Sequence, residues 1–498
     1  MKNRLMASCV SLCVWVGILG LAACGAGGGL DTLTTGSGST SSVGSTAGNG
    51  NAAPLSSTGS ISAFGSVFLN GNHFNVSGAQ ITVDDDPATE QDLQVGHTAT
   101  VTGTAAVRSG LAMATSVAVH SQVVGPVASV SATGNNFVVL GQTVRITSET
   151  SFASAVSPAD ITGIHVGDLV GVHGAVAADG SITARRIERA VVAAGLRVAG
   201  TVSGVNSTSH TFKLNALTVD YTAATLLGFS SGAPVNGDTV RVRGTKLDSV
   251  SGALLATTLA RVAPPPATTS ASAVVEVEGL VTRFASLTDF DVGGQKVTTN
   301  AATRYVNGIS SDIALNANVE AHGTVGSSGV LTASVIDVHN NGRYVLTAPV
   351  TALNATAGTV TVLGVTVTVD ALTRREDLSS ARVRNFAFAD LRIGDNLAVT
   401  GYEKPAGSGQ LTATLLTRLP AGNAVGISGP FTATTAPQFR ILGVTVNAAG
   451  ATFYADRNTT LTATQFFAQA AGRSVAVSGT GASPVAATRV LLVPADAD

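Results

Sequence analysis

The densest run of ligand-bearing side chains is "VDDDPATEQD", where Asp84, Asp85, Asp86, Glu90 and Asp92 offer the oxygens that a hard cation such as calcium takes. The run lacks the alternating ligand positions and central glycine of an EF-hand loop. A solvated turn is therefore expected, with Asp84, Asp85 and Asp86 kept only as weak metal candidates. The histidines (His73, His97, His120, His165, His173, His210, His322, His339) show no ligand spacing and no neighbouring cysteines, so a zinc site would have to be assembled from distant segments. Gly228-Phe229-Ser230-Ser231-Gly232 has the form of a nucleophile elbow, but a proline-containing loop follows where a helix is needed, and coincidence is expected. Gly167-Asp168, Gly237-Asp238 and Gly394-Asp395 recur at one place in a repeated phrase. His97, Ala317 and Arg473 stand there in other copies, so the aspartate is expected to bond its own turn rather than do chemistry. Arg374, Arg375, Arg382, Arg384 and Arg392, interrupted by Glu376 and Asp377, read as a solvated, ion-paired face. No catalytic set, metal site or cofactor site emerges from these residues.

Cys24 is the exception. Lys2 and Arg4 give a positive start, Met6 to Leu21 an apolar stretch, and Leu21-Ala22-Ala23-Cys24 ends it with small residues before a thiol, which together describe an export signal over residues 1–23. The stretch is too short and wrongly flanked for a stable membrane span. Leu21-Ala22-Ala23-Cys24 resembles the lipobox of bacterial lipoproteins; the resemblance implies acylation of Cys24, membrane attachment through lipid chains, and, with Gly25 rather than aspartate next, sorting to the outer membrane. Cys9 and Cys13 would leave with the signal, so the exported body would hold no disulfide. Residues 24–57 are mostly Gly, Ser, Thr and Ala, with little to bury, and read as a flexible tether.

The chain of 498 residues is 45% hydrophobic and only 12% charged, with a net charge of −2. Such a chain folds, and its few lysines (Lys2, Lys213, Lys246, Lys296, Lys404) provide no footprint for a polyanion, which excludes nucleic acid as an expected partner. Fifty-six glycines and many Val-x-Val runs favour short strands and tight turns.

The strands that must position any site are written as a repeat. A phrase close to Gly-x-x-Val-x-Val-x-Gly ends at Gly103, Gly174, Gly244, Gly323, Gly401 and Gly479, at intervals of roughly 70 to 80 residues. Upstream of each lies an alternating hairpin phrase, usually with glycine at its break (Gly78, Gly141, Gly294, Gly364, Gly443). Phe74, Phe137, Phe212, Phe290 and Phe439, with Val360 in the remaining copy, fall at one place in it as core plugs. The order is strand, strand, strand, short helix or loop, strand, strand. "TATQFFAQAAG", with Thr462 and Gln465 at capping-box spacing and Gly472 at the stop, predicts a helix in the sixth copy, and the fifth has similar helical character. The expected fold is all-β: six small five-stranded barrels in tandem, OB-like, with an SH3-like closure as the alternative. Units are placed at 58–121, 122–193, 194–262, 274–340, 341–420 and 421–498. A proline-rich linker, 263–273, would divide the body into two groups of three.

The first unit, with Gly65-Ser66-Val67, Asn70-Gly71, Phe74, Asp92-Leu93 and Gly96, resembles the bacterial domain of unknown function 5666, and later units keep the hairpin and terminal glycine at falling strength. The resemblance implies an exported lipoprotein with tandem copies and implies no activity. Side chains beside the repeated aromatic differ widely (Asn75, Val138, Lys213, Asp291, Arg440), so the units share a scaffold rather than one ligand. The expected function is a non-enzymatic, outer-membrane-anchored scaffold for envelope or extracellular interactions. A glycan- or peptide-binding module using one or two units is second, and an envelope hydrolase last.

Overall fold

The computed structural model describes residues 53–105, 111–190, 195–229, 232–262, 273–340 and 342–493. Leu21, Ala22, Ala23 and Cys24, the tether up to residue 52, Ser230, Ser231 and linker residues 263–272 lie outside the described residues. Unit 2 shows how the repeated phrases fold. Its first strand, Val123–Ser131, leads to a hairpin of Asn136–Val139 and Gln142–Arg145 and then to a short strand, Ser151–Phe152. A 3-10 turn, Ile161–Gly163, precedes a second hairpin of Leu169–Val176 and Ile182–Arg189. The first hairpin turns through Leu140 and Gly141 at φ 46° and 70°. That doubly left-handed turn matches the twist of the flanking strands, and glycine enters it without a Cβ penalty. Alternation then puts Phe137 and its cross-strand partner Val144 on the inner face, both with 0% exposure.

Strand pairing closes on itself. The first strand pairs antiparallel with Asn136–Val139 and with Leu169–Val176, while Gln142–Arg145 runs parallel to the last strand, which returns antiparallel to Leu169–Val176. The same ring of pairings recurs in unit 1, unit 3 and unit 4. Units 5 and 6 repeat it as well. The chain is thus all-β, built of small barrel-like closures. Outside each ring lies a short strand that the sequence order did not include, such as Ser151–Phe152 running parallel to Arg186 and Ile187. The predicted helix of unit 6 spans Ala463–Ala470; Thr462 Oγ1 accepts from the Gln465 N–H at 3.2 Å and Gln465 Oε1 accepts from the Thr462 N–H at 2.9 Å. Unit 5 has only a 3-10 turn, Phe388–Asp390, where helical character was expected. Among the described residues no helix is long and apolar enough to cross a membrane.

Two readings of the repeat are corrected by the register. Phe137, Phe212, Phe290 and Phe439 stand on the first strand of their hairpins, as does Val360. Phe74 stands on the second, opposite Val67, because unit 1 turns through Asn70 and Gly71; Gly78 belongs to the loop beyond. Cross-strand partners share a face, so the exchange leaves the ring in the core, and all five phenylalanines are at most 1% exposed. The terminal glycines mark bulges. The register of the second hairpin shifts at Gly103, Gly174, Gly244, Gly323, Gly401 and Gly479. A Cβ at any of these would come within 3.0 Å of a carbonyl oxygen on the last strand, so close approach rather than positive φ demands glycine there.

The units do not divide into two groups of three. They pair through the open edge beside the start of each first strand, an edge that would otherwise be exposed. Unit 2 joins unit 3 antiparallel at Val123 and Val124, and unit 5 joins unit 6 antiparallel at Val345–Thr347. Unit 1 joins unit 4 in parallel, Leu55 beside Val274 through Thr58 beside Val277, across the intervening pair. Apolar residues run unbroken through units 2 and 3 and through units 5 and 6, whereas units 1 and 4 keep separate cores. The 1–4 junction is therefore polar, and the ionisable side chains gather beside it.

Candidate functional site

In unit 4 the strand Val274–Ser286 alternates as any barrel strand does: Val275 and Val277 enter the core, and Glu276 and Glu278 point outward. The strand Asn318–Val325 likewise sends Val319 and Ala321 inward and Glu320 and His322 outward, while His339 ends the last strand. On a lone barrel these groups would face water. Here Glu276 is 5% and Glu320 1% exposed, because unit 1 pairs against this side of the barrel, setting Asn72 on Glu276 and the Ser60 N–H on Glu278.

The register sets Glu276 opposite His322 and Glu278 opposite Glu320. The result is an alternating chain. His322 Nδ1 lies 3.3 Å from Glu276 Oε1 and Nε2 3.0 Å from Glu320 Oε1; His339 Nε2 lies 3.4 Å from Glu320 Oε2 and Nδ1 3.7 Å from Glu278 Oε1. Burial favours neutral imidazoles, but the carboxylates outweigh it, so His322 is pushed up to about 10 and His339 is raised well above its ordinary value. Burial likewise works against ionised Glu278, yet His339 and Arg185 hold it down to about 2.

Units 2 and 5 add a second buried set. Glu149 pairs with Arg185 and accepts from the Gly342 N–H at 2.8 Å, while the Arg374 guanidinium lies 3.9 Å away and donates to the carbonyls of Glu149 and Arg185. Burial and the Arg185 charge lower Arg374 to about 10, the mark of a cation sharing its counterion. These groups, with Glu278, His339, Asn70, Asp370 and Tyr402, line a cleft with about 720 Å³ of atom-free space counting its mouth. Its walls come from units 1, 2, 4 and 5.

A third cluster joins units 1 and 2. His97 Nε2 lies 3.3 Å from Glu188 Oε1, and the His97 and His173 rings pack with centroids 4.2 Å apart. His97 Nδ1 accepts from the Gln94 N–H at 3.2 Å, so Nε2 carries the proton toward Glu188. That ring replaces the aspartate of the other turns. Asp168, Asp238 and Asp395 accept from the N–H of His165, Val235 and Arg392 at 2.6, 3.0 and 2.9 Å, as the turn reading expects. Burial first, and His97 second, lower His173 well below its ordinary value. Glu188 is also held low: burial opposes ionisation, but His97 and Arg186 outweigh it.

The acidic run is less solvated than expected. Asp84 accepts from the Ser121 N–H at 2.7 Å; Asp85 faces Arg241 at 3.3 Å, and Asp86 pairs with Arg197 and Arg243 of unit 3. Guanidiniums occupy the place a cation would take. The arginine stretch of unit 5 is solvated only in part: Arg382 and Arg392 are exposed, but Arg374 is 6% exposed, and Arg384 donates to Glu90, Gln91 and Leu93 carbonyls of unit 1 while stacking on Phe64 at 4.0 Å. Sequence reasoning missed the Glu276-His322-Glu320-His339-Glu278 chain. Its signal was the alternation "VEVE" and "EAH", two outward charges per strand in a sequence poor in charge.

A tandem array of small closed β units, with clusters of ionisable side chains buried at their junctions, defines an all-β repeat protein. Family comparison matches the domain of unknown function DUF5666 at residues 124–188, 199–259, 278–337, 347–416 and 428–490, and the chain belongs to that family. The matched segments fall in units 2 to 6. The family signal is thus carried by the later units rather than fading after the first, which differs from them in its exchanged phenylalanine. Comparison with curated proteins gives no match.

Proposed function

We propose that the protein is a non-enzymatic scaffold of the bacterial outer membrane, anchored through acylated Cys24 and presenting six OB-like barrels as one packed body for envelope or extracellular interactions. The parallel pairing of third and last strands within a five-strand ring supports OB-like rather than SH3-like closure. The observation that carries the scaffold reading is the fate of the charged side chains. In the three clusters described they hold one unit to another, and none recurs as a site from unit to unit. The lipid anchor rests on the lipobox residues, Leu21 to Cys24. Acyl labelling and membrane fractionation test it: wild type carries label in the outer membrane, Cys24→Ala does not, and label persisting in Cys24→Ala defeats the reading.

A second reading is favoured by the cleft, whose polar walls suit a glycan or peptide. Screening the full-length Cys24→Ala chain against envelope glycans and peptidoglycan fragments separates the two. Saturable binding lost in Tyr402→Ala would replace the scaffold reading with a binding module.

A further inference from the structure

The Glu276-His322-Glu320 end of the chain in unit 4 has a property the other clusters lack. Among the described residues, the cations facing Glu276 and Glu320 are histidines alone. At the 1–2 junction Arg186 already sits on Glu188, and at the acidic run arginines sit on Asp85 and Asp86. Despite their proximity, Glu320 Oε1 and His322 Nδ1 make no hydrogen bond, and Glu320 is 1% exposed. A buried carboxylate oxygen and a buried ring nitrogen left without a hydrogen-bond partner are costly.

We propose that Glu276, Glu320 and His322 bind one divalent transition-metal ion of the zinc type, which locks the junction between units 1 and 4. One donor atom from each residue lies within 4.8 Å of the others; the short separations, 3.3 Å to Glu276 and 3.0 Å to Glu320, run to opposite nitrogens of the His322 ring, so an ion takes one nitrogen and the other carboxylate turns to meet it. Tetrahedral coordination at about 2.0 to 2.1 Å sets donors roughly 3.3 Å apart, so side-chain rotation must draw the 4.8 Å set inward to close the site around an ion. One imidazole with two carboxylates suits zinc and its neighbours; the imidazole disfavours magnesium and calcium. Outer contacts orient the donors. Asn72 of unit 1 donates to Glu276 Oε2 at 2.7 Å, and His339, backed by Glu278, lies 3.4 Å from the second oxygen of Glu320. The cleft lined by His339, Asn318 and Glu278 stops one side chain short of the site, with His339 between it and Glu320. On binding, the ring proton of His322 leaves to solvent and the metal takes its place, so the charge held between the carboxylates rises by one.

The test uses the full-length Cys24→Ala chain, stripped with chelator and dialysed against Zn²⁺, with Co²⁺ as a spectroscopic probe. The expected result is about one ion per chain, a raised melting temperature, and visible Co²⁺ bands of low-symmetry nitrogen–oxygen coordination. His322→Ala and Glu320→Gln should weaken binding by roughly tenfold or more, and Asn72→Ala by less. His173→Ala, at the other histidine cluster, should leave binding unchanged. A wild-type chain that binds no zinc above background, or His322→Ala binding as wild type does, overturns the proposal. Since the Co²⁺ spectrum is read on the unsubstituted site, a variant that fails to fold does not decide the matter.

Discussion

If the units form one packed body, neutralising Glu149 should loosen the contact between units 2 and 5 more than it harms either barrel. The Glu149 side chain is 8% exposed, Arg185 10% and Arg374 7%, so the cleft they line leaves each of them mostly shielded from water while the junction is closed. In the intact protein burial acts to raise Glu149, but the Arg185 charge and then Arg374 outweigh it and hold the carboxyl low. Glu149→Gln keeps the shape and an acceptor for the Gly342 N–H at 2.8 Å, while leaving two guanidiniums without their shared anion. Removing one partner of a buried ionic set costs about 3 to 5 kcal/mol, and the retained amide acceptor points to the lower end. Hydrogen exchange reads this locally, at residues 148–150 and 342, which matters because a six-unit chain need not unfold in two states. Adding Arg374→Met should recover part of the loss, since it removes the cation already short of a counterion; contacting sites couple by roughly 0.5 to 3 kcal/mol. A loss below about 1 kcal/mol with unchanged exchange would mean that water already reaches these groups, and the packed junction would be wrong.

Three further outcomes follow from the same contacts. Phe212→Ala removes a ring 1% exposed from the core of unit 3 and should cost about 3 to 5 kcal/mol, read by urea denaturation and by proteolysis confined to 194–262. Gly401→Ala forces a Cβ against the Thr412 carbonyl at a bulge and should cost about 1 to 3 kcal/mol in the same assay, though its φ is ordinary. His173 is depressed in the fold, so below about pH 6.5 the unfolded chain takes up a proton that the folded chain refuses, and stability falls on acidification. Glu188, held low in the fold, deepens the loss once the pH falls through the ordinary carboxylate range. Melting temperatures across this range should drop less steeply in His173→Gln than in wild type. Equal slopes would show that His173 titrates freely.

The repeat, its hairpins and its buried phenylalanines were legible because they depend on local alternation and on turn residues, and both are written in consecutive positions. The helix after Thr462 was legible for the same reason: its cap is satisfied within three residues. The exchanged position of Phe74 was not, since either strand of a hairpin can carry the large side chain and only the turn at Asn70 and Gly71 fixes which one does. The alternation also said which charges point outward, but outward from a barrel is not the same as outward to water. Arg374 reads as part of a solvated face, and the structure buries it together with Glu276, Glu320 and Arg185.

What the sequence by itself determined is the inside of each unit, because a barrel of this size closes through contacts within one copy of the phrase. What only the tertiary structure decided is which open edge meets which. Units 2 and 3, and units 5 and 6, join through apolar strands next to each other along the chain. Units 1 and 4 pair across roughly 220 residues, between edges whose backbone groups would accept many partners. That long-range choice, made by shape and charge over the whole body, brings Asn72 to Glu276 and turns ordinary exposed glutamates and histidines into a buried polar centre.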